Sequence, residues 1–244
     1  MVLVTVSRPP SAWRRTTGMH QQAPSASPHV SPSPRPAVRE LASPTATTRA
    51  VVLVLHGGRS TSREPVRDHQ LAYLRMRLLS RVQHRSTGGN GMAVWLLRNR
   101  VRGRNEPDLD PVLDAEWALE QVTARHPGTP IVLVGHSLGG RAALRVAGHP
   151  AVTGVCALAP WTESGDPVQQ LADTSVLIAH GSRDRTTSAA AAAEYAERAA
   201  RHAGSVRFET VRGSGHAMLR RRRQWDQLVR RFTGALVRGQ EGRP

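Results

Sequence analysis

Residues Ile131-Val132-Leu133-Val134-Gly135-His136-Ser137-Leu138-Gly139-Gly140 decide the fold. Four aliphatic side chains in a row suit a strand covered on both faces. The run breaks at Gly135 into a serine with glycine two positions to either side. That spacing predicts a very sharp strand-to-helix turn, whose apex residue is forced into sparsely allowed backbone angles and whose flanks have no room for side chains. Ser137 Oγ should therefore stand clear of the sheet. The stretch from Leu138 to Leu144 reads as a helix whose first amides lack acceptors, so the Leu138 N–H would face negative charge developing on a nearby oxygen.

Working outward, strand-like and helix-like segments alternate. Upstream, Val51 to Leu55 is a continuous aliphatic run ending in His56-Gly57-Gly58. A helix should follow, with Leu71, Leu74, Leu78 and Val82 recurring on one face, and then a strand over Met92 to Leu97. Asp110-Pro111 opens the next helix as cap and first-turn proline, with Val112, Ala115, Leu119 and Val122 as its buried stripe. Downstream come strands over Val152 to Leu158, Ser175 to Ala179 and Val206 to Val211, a helix over Ser188 to Arg201, and a last helix over Trp225 to Val237. Six strands alternating with helices imply right-handed crossovers and a mainly parallel sheet with helices on both faces, a three-layer α/β sandwich. Before Ala50 only Met1 to Val6 offers even a weak strand signal.

At 244 residues and 39% apolar, the chain suits one sizeable domain, expected over residues 49–238. Residues 1–48 are rich in Pro, Ser, Thr, Ala and Arg with a single acid, Glu40, and read as a disordered tail; residues 239–244 read as a short flexible end. Val2 to Val6 precedes the pair Arg14-Arg15 instead of following it and is short for an export signal, so a cytoplasmic protein is expected. No apolar run approaches the ~20 residues of a membrane span.

The formal net charge is +16, and all 34 basic residues are arginine. They are scattered along the chain, so a nucleic-acid or other polyanion face is not expected; the densest run, Arg220 to Arg223, is the best candidate patch. The one cysteine, Cys156, lies inside an apolar strand and reads as packing. The eleven histidines lack the helical pairing of a hydrolytic zinc site. Neither a metal nor a cofactor is expected.

In an open parallel sheet, reactive groups gather beyond the carboxyl ends of the strands. Two candidates sit there: Asp184, in the turn after Ser175 to Ala179, and His216, after Val206 to Val211. A serine hydroxyl needs a neutral imidazole to take its proton, and the imidazole needs a carboxylate to fix its tautomer. Ser137, His216 and Asp184 fit those roles, with Asp166 as a reserve acid. Gly58, or else Arg59, is placed to give a second oxyanion amide beside Leu138. Arg59 and Trp161 are candidate substrate-lining residues. His56, His136 and His180 read as local structural groups.

The segments His56-Gly57-Gly58, Gly135-His136-Ser137-Leu138-Gly139-Gly140, His180-Gly181-x-x-Asp184 and Gly215-His216 together resemble the α/β-hydrolase superfamily, over roughly residues 50–237. The resemblance implies an oxyanion turn, nucleophile elbow, triad acid and triad base at these positions. It also implies a serine hydrolase, carboxylesterase-like, acting through an acyl-enzyme. Only Trp161 to Thr174 stands where a cap domain is often inserted, so the partner expected is a small to medium soluble acyl substrate, with anionic ones favoured by the arginines. Acyl transfer with the same residues, and a catalytically silent binding scaffold, remain the alternatives.

Overall fold

The computed structural model describes residues 33–41, 47–87 and 91–240. Seven strands form one sheet: β1 (Ala37–Leu41), β2 (Ala50–Leu55), β3 (Met92–Arg98), β4 (Ile131–His136), β5 (Val152–Leu158), β6 (Ser175–Gly181) and β7 (Ser205–Val211). Their spatial order is β1-β3-β2-β4-β5-β6-β7. All neighbours run parallel except β1, which lies antiparallel on β3. β2 to β6 are almost entirely buried, as their unbroken aliphatic runs require.

Five helices cover the two faces: α1 (Leu71–Thr87), α2 (Asp110–Arg125), α3 (Leu138–Arg145), α4 (Ala189–Ala199) and α5 (Arg222–Gln240). One core cluster joins Val51, Leu53, Leu55 and Leu133 to Ala118 and Leu119 of α2, Ala143 of α3 and Tyr195 of α4. The other joins Val52, Val54 and Val134 to Tyr73 and Met76 of α1 and to Trp225 and Val229 of α5. Alternate residues of each strand thus feed opposite cores, which is the period-2 geometry of a sheet sandwiched between helices.

Two expectations need correction. The sheet has seven strands, because Ala37–Leu41 lies inside the segment read as tail. Val38 packs against one core cluster and Leu41 against the other, while Glu40 reaches His126 at 3.2 Å. The rest of that tail reading, residues 1–32 and 42–46, falls outside the described residues, as do residues 241–244. The second correction is in α1. Its buried residues are Tyr73, Met76, Leu79, Ser80 and Gln83, not the expected leucine stripe; Leu71 and Leu78 are exposed. A smaller difference is at α2, where Leu109, at φ 50°, takes the cap position and Asp110 begins the helix.

The chain passes from β2 outward to β3, then returns across β2 to β4. This reversal opens a crevice between the carboxyl ends of β2 and β4, the general location of ligands in such sheets.

Candidate active site

Ser137 sits at that crevice with φ 56° and ψ −117°. These angles are rare for a residue with a Cβ and are held by contacts on every side. The Ser137 amide donates to Leu158 O at 2.9 Å, while its carbonyl accepts from Arg141 N at 3.1 Å and Trp161 N at 3.2 Å. The two flanking glycines are needed because they touch: a Cβ on Gly135 would stand 2.2 Å from Gly139 O. The glycine spacing therefore reflects a backbone collision avoided.

His216 and Asp184 come from the turns after β7 and β6, and the fold brings both to Ser137. The Ser137 hydroxyl donates to His216 Nε2 at 3.0 Å, and His216 Nδ1–H donates to Asp184 Oδ2 at 2.8 Å. This assignment of the ring proton follows from the carboxylate, which can only accept. The Asp184 carboxylate is inaccessible to solvent. Burial alone would raise its pKa, but the amides of Thr186 and Thr187 at 2.8 and 3.1 Å and the His216 ring outweigh it, and the group lies below its ordinary value. Thr187 Oγ1 lies 3.1 Å from Asp184 Oδ2 and 3.3 Å from His180 Nε2, so it completes the carboxylate's shell.

Two groups fix the His216 loop. His136 Nε2–H donates to His216 O at 2.9 Å, and the two rings lie 4.9 Å apart. Burial, then the nearby His216, pushes the His136 pKa down to about 3, so this ring is neutral. From α1, the Arg75 guanidinium donates to Ala217 O and, at 2.7 Å, to Met218 O.

On the other side of the crevice, the turn after β2 is pinned to the β3–α2 loop. The Arg59 amide donates to Arg102 O at 2.7 Å and so is already engaged, which leaves Gly58 as the candidate of the two for the second oxyanion amide. A Cβ on Gly58 would meet Arg102 O at 2.3 Å. His56 is structural: Asn99 N donates to its Nε2 at 3.1 Å, its Nδ1–H donates to Gly57 O at 2.7 Å, and burial lowers its pKa to about 4.

Asp166, the reserve acid, is engaged elsewhere. It accepts from Arg141 Nε at 3.0 Å and Nη2 at 2.8 Å, and from Arg145 Nη2 at 2.6 Å. Trp161 lies beneath Arg104, whose guanidinium carbon is 4.8 Å from the ring centroid, and does not line the cleft at Ser137. Arg59 lines a neighbouring hollow of about 300 Å³ with Gln70 and Arg102. The Cys156 thiol is buried and pushed up to about 12, out of reach of thiolate chemistry at neutral pH.

Ser137 and His216 open onto a cleft of about 430 Å³, walled by Leu71, Leu74, Leu78, Ala217 and Leu219 and floored by Gly57 and Gly58. Among the described residues, no group of His, Cys, Asp and Glu is arranged to hold a metal ion, and no helix is long and apolar enough to cross a membrane.

Residues 94–235 match the family model of an alpha/beta hydrolase domain. Among solved structures, the chain is similar to an Agrobacterium tumefaciens protein described as of unknown function and a candidate alpha/beta hydrolase. The TM-score is 0.67, identity 18%, and coverage 85% of this chain and 94% of that one. It is also similar to an alpha-beta serine hydrolase homologue from Coxiella burnetii, with TM-score 0.62, 16% identity and coverage of 82% and 92%. A Xanthomonas campestris serine hydrolase described as lacking a lid gives TM-score 0.55, 19% identity and coverage of 79% and 84%. No curated protein matches the sequence.

Proposed function

Because the chain belongs to the alpha/beta hydrolase family, we propose that it is a serine hydrolase of carboxylic esters, with Ser137 as nucleophile, His216 as general base and Asp184 as the orienting acid. The observation that carries this reading is the continuous relay from Ser137 Oγ through His216 to Asp184, at 3.0 and 2.8 Å. Such a relay lets a neutral imidazole take the hydroxyl proton as Oγ attacks the acyl carbon. The tetrahedral oxyanion would be met by the Gly58 and Leu138 amides. His216 then returns the proton to the departing alcohol, leaving an acyl-serine. Water, deprotonated by the same imidazole, attacks that ester and releases the acid, with the proton passing back to Ser137.

Asp184 stays ionised throughout, because its amide partners and His216 hold its pKa down. It favours the imidazolium without accepting its proton. The test is covalent. A fluorophosphonate probe should label the folded protein once, with the adduct mapping to Ser137, and Ser137→Ala should abolish labelling. Unlabelled Ser137 in folded protein refutes the proposal.

A further inference from the structure

We infer that the substrate carries an uncharged aliphatic chain, and that the leucines of α1 together with Leu219 form the surface that selects it. This rests on the catalytic reading above and specifies what that site takes. Helix α1 has two apolar stripes. One, Tyr73, Met76 and Leu79, is core; the other, Leu71, Leu74 and Leu78, faces the cleft that holds Ser137 and His216. Water exposure of a second stripe is unfavourable unless something apolar covers it.

The exposed large apolar side chains are unevenly placed. Leu71 is 85% exposed, Leu219 74%, Leu78 43% and Leu113 47%, and the first three line this one cleft. Scattered surface leucines need no explanation; three around a nucleophile do.

Charge points the same way. Arg75 is the one arginine among the cleft's lining residues, and its guanidinium is committed to Ala217 O and Met218 O. A carboxylate placed there would lose its hydration without gaining an unengaged cation. The arginine-lined hollow of Arg59 and Arg102 adjoins the cleft across Gly57, Gly58 and Leu71, which line both, and its arginines are not among the residues that line the cleft at Ser137. An uncharged substrate thus departs from the expectation, drawn from the arginines, that anionic ones are favoured. Leu71 and Leu78 stand about 10 Å apart along the helix axis, a length spanned at ~1.3 Å per bond by an extended chain of about eight to nine carbons.

The experiment uses the full chain with monomeric substrates below their aggregation limit. It takes one series of 4-nitrophenyl esters from acetate to decanoate and one of acetate esters of lengthening alcohols. In one of the two series, kcat/KM should rise about two- to fourfold per methylene, the gain expected from burying each CH₂, and level off near about eight to nine carbons. The 4-nitrophenyl monoester of adipic acid should be at least about tenfold poorer than the hexanoate ester, because its carboxylate is desolvated. Leu78→Asp and Leu219→Asp, both at exposed positions, should cut the long-to-short chain preference about tenfold, while Leu113→Asp on α2 should leave it unchanged. Flat profiles in both series, a preference for the carboxylate ester, or turnover confined to aggregated substrate would each overturn the inference. Fluorophosphonate labelling of Ser137 in the same samples separates the failures. Labelled protein with no chain preference sinks this inference alone, and unlabelled protein removes the catalytic reading with it.

Discussion

Behind the nucleophile, on the face covered by α2, α3 and α4, an ionic network is buried at its centre. Arg141 is 4% exposed and Asp166 2%, and Glu163, Arg104 and Arg145 extend the same network. In front, on the face covered by α1 and α5, the cleft at Ser137 is walled by leucines, and its one arginine is held by backbone carbonyls. The two sides teach that the arginines nearest the nucleophile are scaffolding. Arg104, Arg141 and Arg145 hold α3 and its neighbouring loops in place, while the cleft at Ser137 is walled by apolar side chains. Ser137 stands at the junction, fixed by the first region and opening onto the second.

The largest expected effect comes from removing the junction. Ser137→Ala should lower ester hydrolysis by about 10⁴-fold or more in kcat. The thermal midpoint should barely move, because the Oγ makes a single hydrogen bond. Residual turnover within tenfold of the parent protein would place the chemistry elsewhere.

Next is the ionic side. Arg141→Leu leaves the buried Asp166 with the partly exposed Arg145 as its cation and the Glu163 amide as a further donor, and should cost about 3–5 kcal/mol in urea unfolding. Arg145→Leu should cost less, since Arg145 retains 22% side-chain exposure where Arg141 has 4%. Equal losses would mean that burial does not govern this network.

The cleft side should respond in the opposite currency. Arg75→Met removes two charge-assisted bonds to the residues that directly follow His216. A stability loss of only about 1–3 kcal/mol is expected. Its kcat should fall roughly tenfold, because the base loses its fixed position. If Arg75→Met costs stability without touching kcat, the loop is held by His136 alone.

The contrast between the regions also explains what the sequence made legible. The convergence of Ser137, Asp184 and His216 was readable because each lies just past a strand, and strand ends are where a parallel sheet collects chemistry. β1 was not, because Ala37-Val38-Arg39-Glu40-Leu41 is short, mixed in polarity and adjoins prolines; it becomes a strand by pairing with β3, a tertiary effect. In α1 the period of 3.6 was visible but the choice between two apolar stripes was not, since either could face the core. The surroundings of Trp161 were not legible for a related reason: it does follow a strand end, but its ring lies against Arg104, a residue distant in sequence. Thr187 and Arg75 gave no signal, for their partners are a loop carboxylate and distant backbone carbonyls.

The smallest effect per step should come from acid, and it separates the two regions by pH. On the cleft side, His56 and His136 are neutral in the fold, with pKa values lowered to about 4 and about 3, mainly by burial. The unfolded chain binds protons at both near the ordinary 6.5, so each withdraws stability as pH falls below that value. On the ionic side, Asp114 opposes them: burial raises its pKa to about 6, so between pH 6 and 4 the folded state holds a proton that the unfolded state lacks. Two protons taken up on unfolding against one released leaves a net uptake of one, so stability should fall by about 1.4 kcal/mol per pH unit across that range. His180, also lowered by burial, adds in the same direction. Glu163, held down to about 2 chiefly by Arg141, keeps its part of the network intact until well below this window. Urea midpoints measured from pH 6.5 to 4 test the balance, and Asp114→Asn should steepen the slope to roughly twice its parent value. A flat profile in the parent protein would mean that the imidazoles beside the cleft are charged in the fold, and that the neutrality assigned to that side is wrong.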